Sequence, residues 1–385
     1  MKFVIYTISF SPHQTPLSNA MMAEVGMDEC RYVSAAPVKA ERRIIGWGND
    51  IDSFWHIKKW EKPDLAHEVS ASSRLLLTGE RDLPLMEERC CRGLETIYSS
   101  ERWFKPRGGM LRLLSPRYFK MAQRFVQLLA NQEALYYYPM GIHAARDMAR
   151  LCGLLHGDIR CLFCPPELEF EGKPGGRIWL KRGGNQKKYC LDKMRMWGYY
   201  VEPTKLGALP VQEASKVNLK EIKVLWVGRL LKLKRVDTIV RAVREHANLK
   251  RVNADLPKIT LDIYGVGPEE KRLRKIARRY EDIIRFYPPI PIAKVRQLMR
   301  EHDVYVMASN GCEGWGAVVS EAIEEGMKVL GTYEAGSSAT ILPSSNLFKA
   351  GDWKRLSKLL REKIAPVGAF DWSAQNAAHY LKTKI

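Results

Sequence analysis

Apolar residues along this chain fall into two rhythms. Short, nearly continuous apolar runs suit strands buried on both faces. They alternate with stretches whose apolar positions recur every three or four residues, as on one side of a helix. The second half shows this most clearly. KVLWVGRL (223–230), KITLDIYGVG (258–267), IIRFYPPI (283–290), VYVMAS (304–309) and KVLGTY (328–333) predict strands. VDTIVRAVREH (236–246), PEEKRLRKIARRY (268–280), AKVRQLMREH (293–302) and AVVSEAIEEG (317–326) predict the helices between them. Such alternation means a parallel sheet with helices on both faces.

The first half carries a looser version of the same pattern. KFVIYTI (2–8), ECRYVSA (29–35), SRLLLTG (73–79), LETIYSS (94–100), ALYYYP (134–139) and DIRCLFC (158–164) predict strands. Residues 165–188 are punctuated by Pro and Gly and read as irregular; YCLDKMRMWGY (189–199) reads as a helix. VEPTKLGALPVQEASKVNLK (201–220) has two prolines and no period, and reads as an interdomain linker. FDWSAQNAAHYLKTKI (370–385) reads as one helix. The expected fold is α/β: two doubly wound domains facing a cleft, over residues 1–203 and 221–365, with a linker at 204–220 and a C-terminal helix within 366–385. Ligands in such folds bind at the carboxyl ends of the strands.

Composition narrows the classes. The 385 residues suffice for two domains, and 46% hydrophobic with 27% charged residues is a globular balance. No apolar run approaches the roughly 18 residues of a membrane span, and MKFVIYTISF lacks a cleavage site, so it reads as a first strand. A cytoplasmic location is expected. The eight cysteines are scattered, which predicts free thiols. Cys161 and Cys164 form a C-x-x-C with Cys152 and His156 upstream, from which a zinc site could be drawn. LFC reads instead as the inside of a buried strand, and no metal is expected. Asp50 and Asp52 form a D-x-D in a loop and are discounted for the same role.

The charge is lopsided: 62 Lys and Arg against 43 Asp and Glu, net +19. That balance draws polyanions: nucleic acid, anionic lipid heads or phosphorylated substrates. The fingerprints of a nucleic-acid binder are missing, and none is expected as a partner.

The stretch EGWGAVVSE (313–321) concentrates the chemistry. It joins a strand to a helix whose first N–H groups have no internal partner and lie at the positive end of the helix dipole. A diphosphate against Gly316, Ala317 and Val318 would be held there by backbone alone. Glu321, a turn further on, suits the diol of a ribose, and Glu313 would face the group beyond the diphosphate. Arg229 at a strand end and Lys234 in the following loop can neutralise the same diphosphate, the arginine as a fork and the lysine as a point charge. Gly265 and Gly267 make a G-x-G turn at the next strand end.

EGWGAVVSE as E-x7-E, with VGRLLKLKRVD before it and IYGVGPEEKRL between, resembles glycosyltransferase family 4 over residues 221 to about 340. The resemblance implies the GT-B fold, two Rossmann-like domains with a C-terminal helix crossing back to the first, and retaining transfer without a required metal or cofactor. It implies a nucleotide-diphosphate-sugar donor in the second domain and a glycan or lipid-linked acceptor in the first. Arg229 and Lys234 match the family's phosphate-binding pair, Glu313 the glutamate at the donor sugar, and Glu321 the one at the ribose. In the first half, SFSPHQTPLSNAM (9–21) is similar to the family's first loop and helix, with His13 and Gln14 in the turn, although the usual glycines there are absent. IYSSERWFKP (97–106) is similar to a strand end that nominates Glu101 and Arg102. The family's cleft histidine has no match at LFCPP, and His143 at the preceding strand end is the candidate. Transfer of a hexose-type sugar in cell-surface polysaccharide synthesis is what the resemblance implies. The basic charge adds a peripheral contact with the anionic inner face of the cytoplasmic membrane, for which PVKAERRIIGWG (37–48) is weighed against simple packing on the first domain. A sugar-nucleotide epimerase of the same shape and a non-catalytic nucleic-acid binder are the alternatives.

Overall fold

The computed structural model describes residues 3–43, 51–79, 81–105, 108–201, 221–367 and 371–383. The chain forms two compact units, Met1–Glu202 with Asp371–Ile385, and Pro203–Phe370. The stretch read as a linker, 204–220, lies outside the described residues, as do Asp50 and the end of the 37–48 segment.

The first unit holds a six-stranded sheet of β1 (Phe3–Ser9), β2 (Cys30–Ala36), β3 (His56–Lys58), β4 (Arg74–Thr78), β5 (Thr96–Ser100) and β6 (Leu135–Pro139). The order is β3-β2-β1-β4-β5-β6, all parallel. The direction of winding reverses between β1 and β4, which makes the carboxyl ends there a switch point. A small antiparallel hairpin, β7 (Leu168–Phe170) and β8 (Ile178–Leu180), forms within the stretch read as irregular. The second unit repeats the plan with β9 (Glu221–Val227), β10 (Lys258–Tyr264), β11 (Ile284–Tyr287), β12 (Val304–Met307), β13 (Lys328–Thr332) and β14 (Leu347–Phe348), in the order β11-β10-β9-β12-β13-β14. Its switch point lies between β9 and β12. Alternate strand residues feed opposite faces, so Val224 and Trp226 join one core layer while Leu225 joins the other with Tyr305 and Met307. The expected α/β fold of two doubly wound domains is the one observed.

The C-terminal helix, Ala374–Thr383, returns to the first unit as expected. It lays Ala374, Ala377, Ala378 and Leu381 against the Thr15–Val25 helix, and the small side chains let the backbones approach. Lys382 Nζ reaches Glu24 at 2.9 Å, and Tyr380 packs on Tyr138. Tyr380 also fills the place of a side chain at Gly175, where a Cβ would lie 2.3 Å from its ring.

Two expected elements are corrected. DIRCLFC is not a strand: Ile159–Leu162 form a 3₁₀ turn, because the Asp158 carboxylate accepts from Arg160 N and closes the chain on itself. Cys161 is buried there while Leu162, Phe163 and Cys164 are exposed, so LFC is not a strand interior. YCLDKMRMWGY is not a helix: Cys190 sits at φ 53 in the left-handed region, a short 3₁₀ turn follows at Leu191–Lys193, and the chain then runs extended beside β6. Bridges pair Tyr137 with Met194 and Met140 with Trp197, and burial of the apolar residues follows that pairing.

Candidate functional site

In the second unit the loops after β9 and β10 interlock. Gly228 N donates to Tyr264 O at 3.0 Å, and Leu230 N to Val266 O at 2.9 Å. A Cβ at Gly265 would stand 1.8 Å from Gly228 O, and one at Gly267 would stand 2.5 Å from Leu230 O. The G-x-G therefore packs loop on loop. The adjoining 3₁₀ turn Lys232–Lys234 is tied to the loop after β12 by Asn310 N donating to Leu233 O at 2.9 Å.

This tie brings Lys234 to Glu313. Lys234 Nζ lies 2.6 Å from Glu313 Oε2, and Ser309 Oγ donates to the same oxygen at 2.9 Å. Thr332 Oγ1, at the end of β13, donates to Ser309 O and steadies the serine. Three strand ends thus fix one carboxylate. Arg229 is exposed beside them and makes no ion pair among the described residues.

The EGWG turn is anchored by Trp315, which is fully buried. Gly316 has φ 85, and its carbonyl accepts from Ser337 Oγ at 3.0 Å. Gly336 N donates to Gly314 O at 3.2 Å, with so close an approach that a Cβ at Gly336 would lie 2.5 Å from that oxygen. Gly316 and Ala317 lead into the Val318–Glu324 helix, whose first residue is Val318. Glu321 is half-buried one turn in; burial raises its carboxyl above the usual range, the Arg296 charge opposes the rise and Glu325 adds to it. Tyr305, fully buried in β12, has its phenol raised by burial and then by the charges of Glu313 and Glu321. Tyr264 and Tyr287 stack at the ends of β10 and β11, centroids 4.6 Å apart and 14° between planes.

In the first unit the nominated residues lie at the carboxyl ends of the strands. Gln14 is buried and caps the Thr15–Val25 helix by position, without a side-chain cap bond. His13 packs its ring on Tyr199, centroids 5.4 Å apart. Burial lowers the His13 imidazole to about 4, against the pull of Glu101 and with the push of Arg42. Lys105 Nζ reaches Glu101 at 3.0 Å, and Arg102 forks onto buried Asp147 at 3.2 Å. Asp147 also accepts from Phe104 N at 2.9 Å, which locks the loop after β5 to the Ile142–Leu155 helix. His143 stands in the first turn of that helix, behind Gly141 at φ 87.

Sequence reasoning missed Ser309, Thr332, Tyr199, Asp147 and the tyrosine pair. Only the tyrosines carried a signal: each closes its strand. All eight cysteines are free, and among the described residues no group of three or more His, Cys, Asp or Glu could hold a metal ion. Among them, too, no helix is long and apolar enough to cross a membrane.

Residues 211–365 match the family model of glycosyl transferases group 1. A stretch of 152 residues is 31% identical to the GtfA subunit of a UDP-N-acetylglucosamine–peptide N-acetylglucosaminyltransferase from Streptococcus pneumoniae, covering 37% of this chain and 28% of that one. An uncharacterized glycosyltransferase of Methanocaldococcus jannaschii is 26% identical over 191 residues, 47% of this chain and 46% of its own. The chain thus spans less than half the length of these curated relatives. Among solved structures, HepE of Anabaena in complex with UDP aligns with a TM-score of 0.56 at 14% identity, over 100% of this chain and 95% of that one. The lipopolysaccharide outer core galactosyltransferase WaaB aligns with a TM-score of 0.58 at 13% identity, over 99% and 100%. These two likenesses are of fold.

Proposed function

We propose that this chain is a retaining glycosyltransferase that moves a hexose-type sugar from a nucleotide-diphosphate sugar to a glycan or lipid-linked acceptor, in the synthesis of cell-surface polysaccharide. The observation that carries the reading is the cluster of Lys234, Glu313 and Ser309 at the carboxyl ends of the second sheet, inside the stretch that matches the group 1 model. Uridine is the favoured base, because a curated relative is named for UDP-N-acetylglucosamine and HepE was solved with UDP.

In this reading the donor diphosphate lies against Gly316, Ala317 and Val318, with the Glu321 carboxylate on the ribose diol. Gly265 and Gly267 keep the neighbouring loops close enough to border it. Arg229 is exposed and takes the phosphate as a fork; Lys234 passes from Glu313 to the phosphate as the donor enters. Negative charge grows on the diphosphate while the sugar–phosphate bond loosens, so both cations bind the transition state more strongly than the ground state. Glu313, still held by Ser309, then faces the sugar. His13, neutral above about pH 4, is a hydrogen-bonding partner for an acceptor hydroxyl, with Gln14, Glu101, Arg102 and His143 as the other acceptor-side groups. No metal is required by this arrangement of roles.

The test is a thermal-shift screen of UDP-, GDP- and ADP-sugars on the wild type, Glu321→Ala and Arg229→Ala. A bound ligand raises the midpoint with the logarithm of its concentration. UDP-sugars raising the wild type but neither variant is the expected result; no shift with any nucleotide sugar would sink the reading.

A further inference from the structure

The connection from β5 to the Pro116–Asn131 helix exposes large apolar side chains: Leu111 at 70%, Leu114 at 78% and Phe119 at 38%. Leu111 and Leu114 belong to a 3₁₀ helix, Gly109–Leu114, in which residues three apart eclipse, so both point to one side. Gly108 and Gly109, at φ 83 and 44, turn the chain outward before them. The protrusion is pinned from beneath. Arg112 Nη1 and Tyr118 OH both donate to the carbonyl of buried Trp103, at 3.3 and 3.2 Å, and the Arg112 guanidinium lies over the Tyr118 ring. The exposed leucines are therefore presented by an ordered base.

The surrounding charge is one-sided. From Arg102 to Gln132 the sequence has seven Lys and Arg and no Asp or Glu. Arg102, Lys105 and Arg124 are paired with Asp147, Glu101 and Glu87. Arg117 and Lys120 are exposed on the first turn of the helix and make no ion pair among the described residues. An apolar tip flanked by unneutralised cations fits a boundary where hydrocarbon and anionic head groups meet. Nucleic acid would use the cations and leave the leucines in water.

We propose that residues 109–120 dock this unit on an anionic lipid bilayer, with Leu111, Leu114 and Phe119 entering the head-group boundary and Arg117 and Lys120 on lipid phosphates. This sets the membrane contact at the loop after β5 rather than at residues 37–48. The surface follows directly on Glu101 and Arg102, so a lipid-linked acceptor would be offered to that end of the sheet. The inference stands apart from the activity, since docking needs no donor.

The test is co-sedimentation with vesicles of phosphatidylglycerol and phosphatidylcholine against phosphatidylcholine alone. The wild type is expected to sediment with the anionic vesicles and to be released by salt. Leu111→Ser with Leu114→Ser, and separately Arg117→Gln with Lys120→Gln, are each expected to weaken binding at least tenfold while keeping the wild-type circular dichroism and midpoint. Phe163→Ser removes a second exposed ring, 84% exposed, on a different loop, and is expected to bind as the wild type does. Amide exchange of the unaltered protein supplies a readout free of any folding defect: residues 109–120 slow on anionic vesicles. Failure of the wild type to sediment, equal binding to neutral vesicles, an equal loss with Phe163→Ser, or unchanged exchange at 109–120 would each overturn the proposal.

Discussion

Burial disfavours the charged form of a side chain, and two candidate site residues turn this into measurable behaviour. The folded-state imidazole of His13 is lowered to about 4 from the model-peptide value of 6.5. As pH falls from 6.5 to 4, the unfolded chain takes up a proton that the folded chain refuses. Stability attached to this group is thus full above 6.5 and lost towards 4, by at most about 3 kcal/mol. His13→Gln should make the acid limb of a denaturation profile shallower in that window; an unchanged limb would refute the assignment. Glu321 has the opposite sign. Its folded carboxyl is raised, so stability falls as pH climbs from the unfolded value of 4.5 through the folded one. At neutral pH Glu321→Gln should unfold at or above the wild-type midpoint and yet lose its nucleotide-sugar shift. A lower midpoint would mean the carboxylate serves the fold. At this scale the placement of Glu313 and Lys234 in loops at the carboxyl ends of the second sheet was legible, because the apolar runs before them mark those strand ends. Ser309 and Thr332 were not: the bond from Ser309 to Glu313 and the bond from Thr332 to the Ser309 carbonyl join residues whose spacing encodes nothing.

Elements were read well wherever periodicity alone decides. Ten of the strands expected from apolar runs correspond to β1, β2, β4, β5, β6 and β9 to β13. The failures came where turn chemistry wins. Asp158 capping Arg160 N closed an apolar run into a 3₁₀ turn, and the left-handed Cys190 broke a helical spacing that otherwise looked sound. The hairpin β7–β8 and the two-residue β14 were too short to leave a pattern. Sheet order was invisible too, since it depends on long-range pairing. The interlocked loops give the prediction at this scale. A Cβ at Gly265 meets the backbone oxygen of Gly228 at 1.8 Å, whereas one at Gly93, φ 67, meets nothing within 4 Å. Both alanines strain the backbone by about 1 kcal/mol or more, but only Gly265→Ala must also push two strand-end loops apart. Amide exchange in β9 and β10 should rise strongly in Gly265→Ala, and exchange in β4 and β5 should stay near wild type in Gly93→Ala. Equal effects would mean that the loop packing is not what Gly265 provides.

For the whole molecule, the last helix belongs to a unit whose other residues end before residue 203. Ala374, Ala377, Ala378 and Leu381 are buried against the Thr15–Val25 helix, and that helix follows directly on β1 with His13 and Gln14 between them. The same last helix puts Tyr380 on Tyr138 of β6 and into the space left by Gly175, and Lys382 on Glu24. Deleting residues 371–385 therefore removes one wall of the first core while leaving every hydrogen bond around Glu313 intact. Four buried side chains, three of them alanines, and a tyrosine amount to several kcal/mol of lost burial, a large share of what a domain of this size has. Amide exchange should accelerate across Thr15–Val25 and β6, and stay unchanged in β9, β10 and β12. The truncated chain should keep its nucleotide-sugar exchange protection around residues 313–321, because the proposed donor site draws its residues from the second unit alone. Loss of protection there together with the first unit would show that the two sheets depend on each other, and that donor binding cannot be assigned to the second unit by itself.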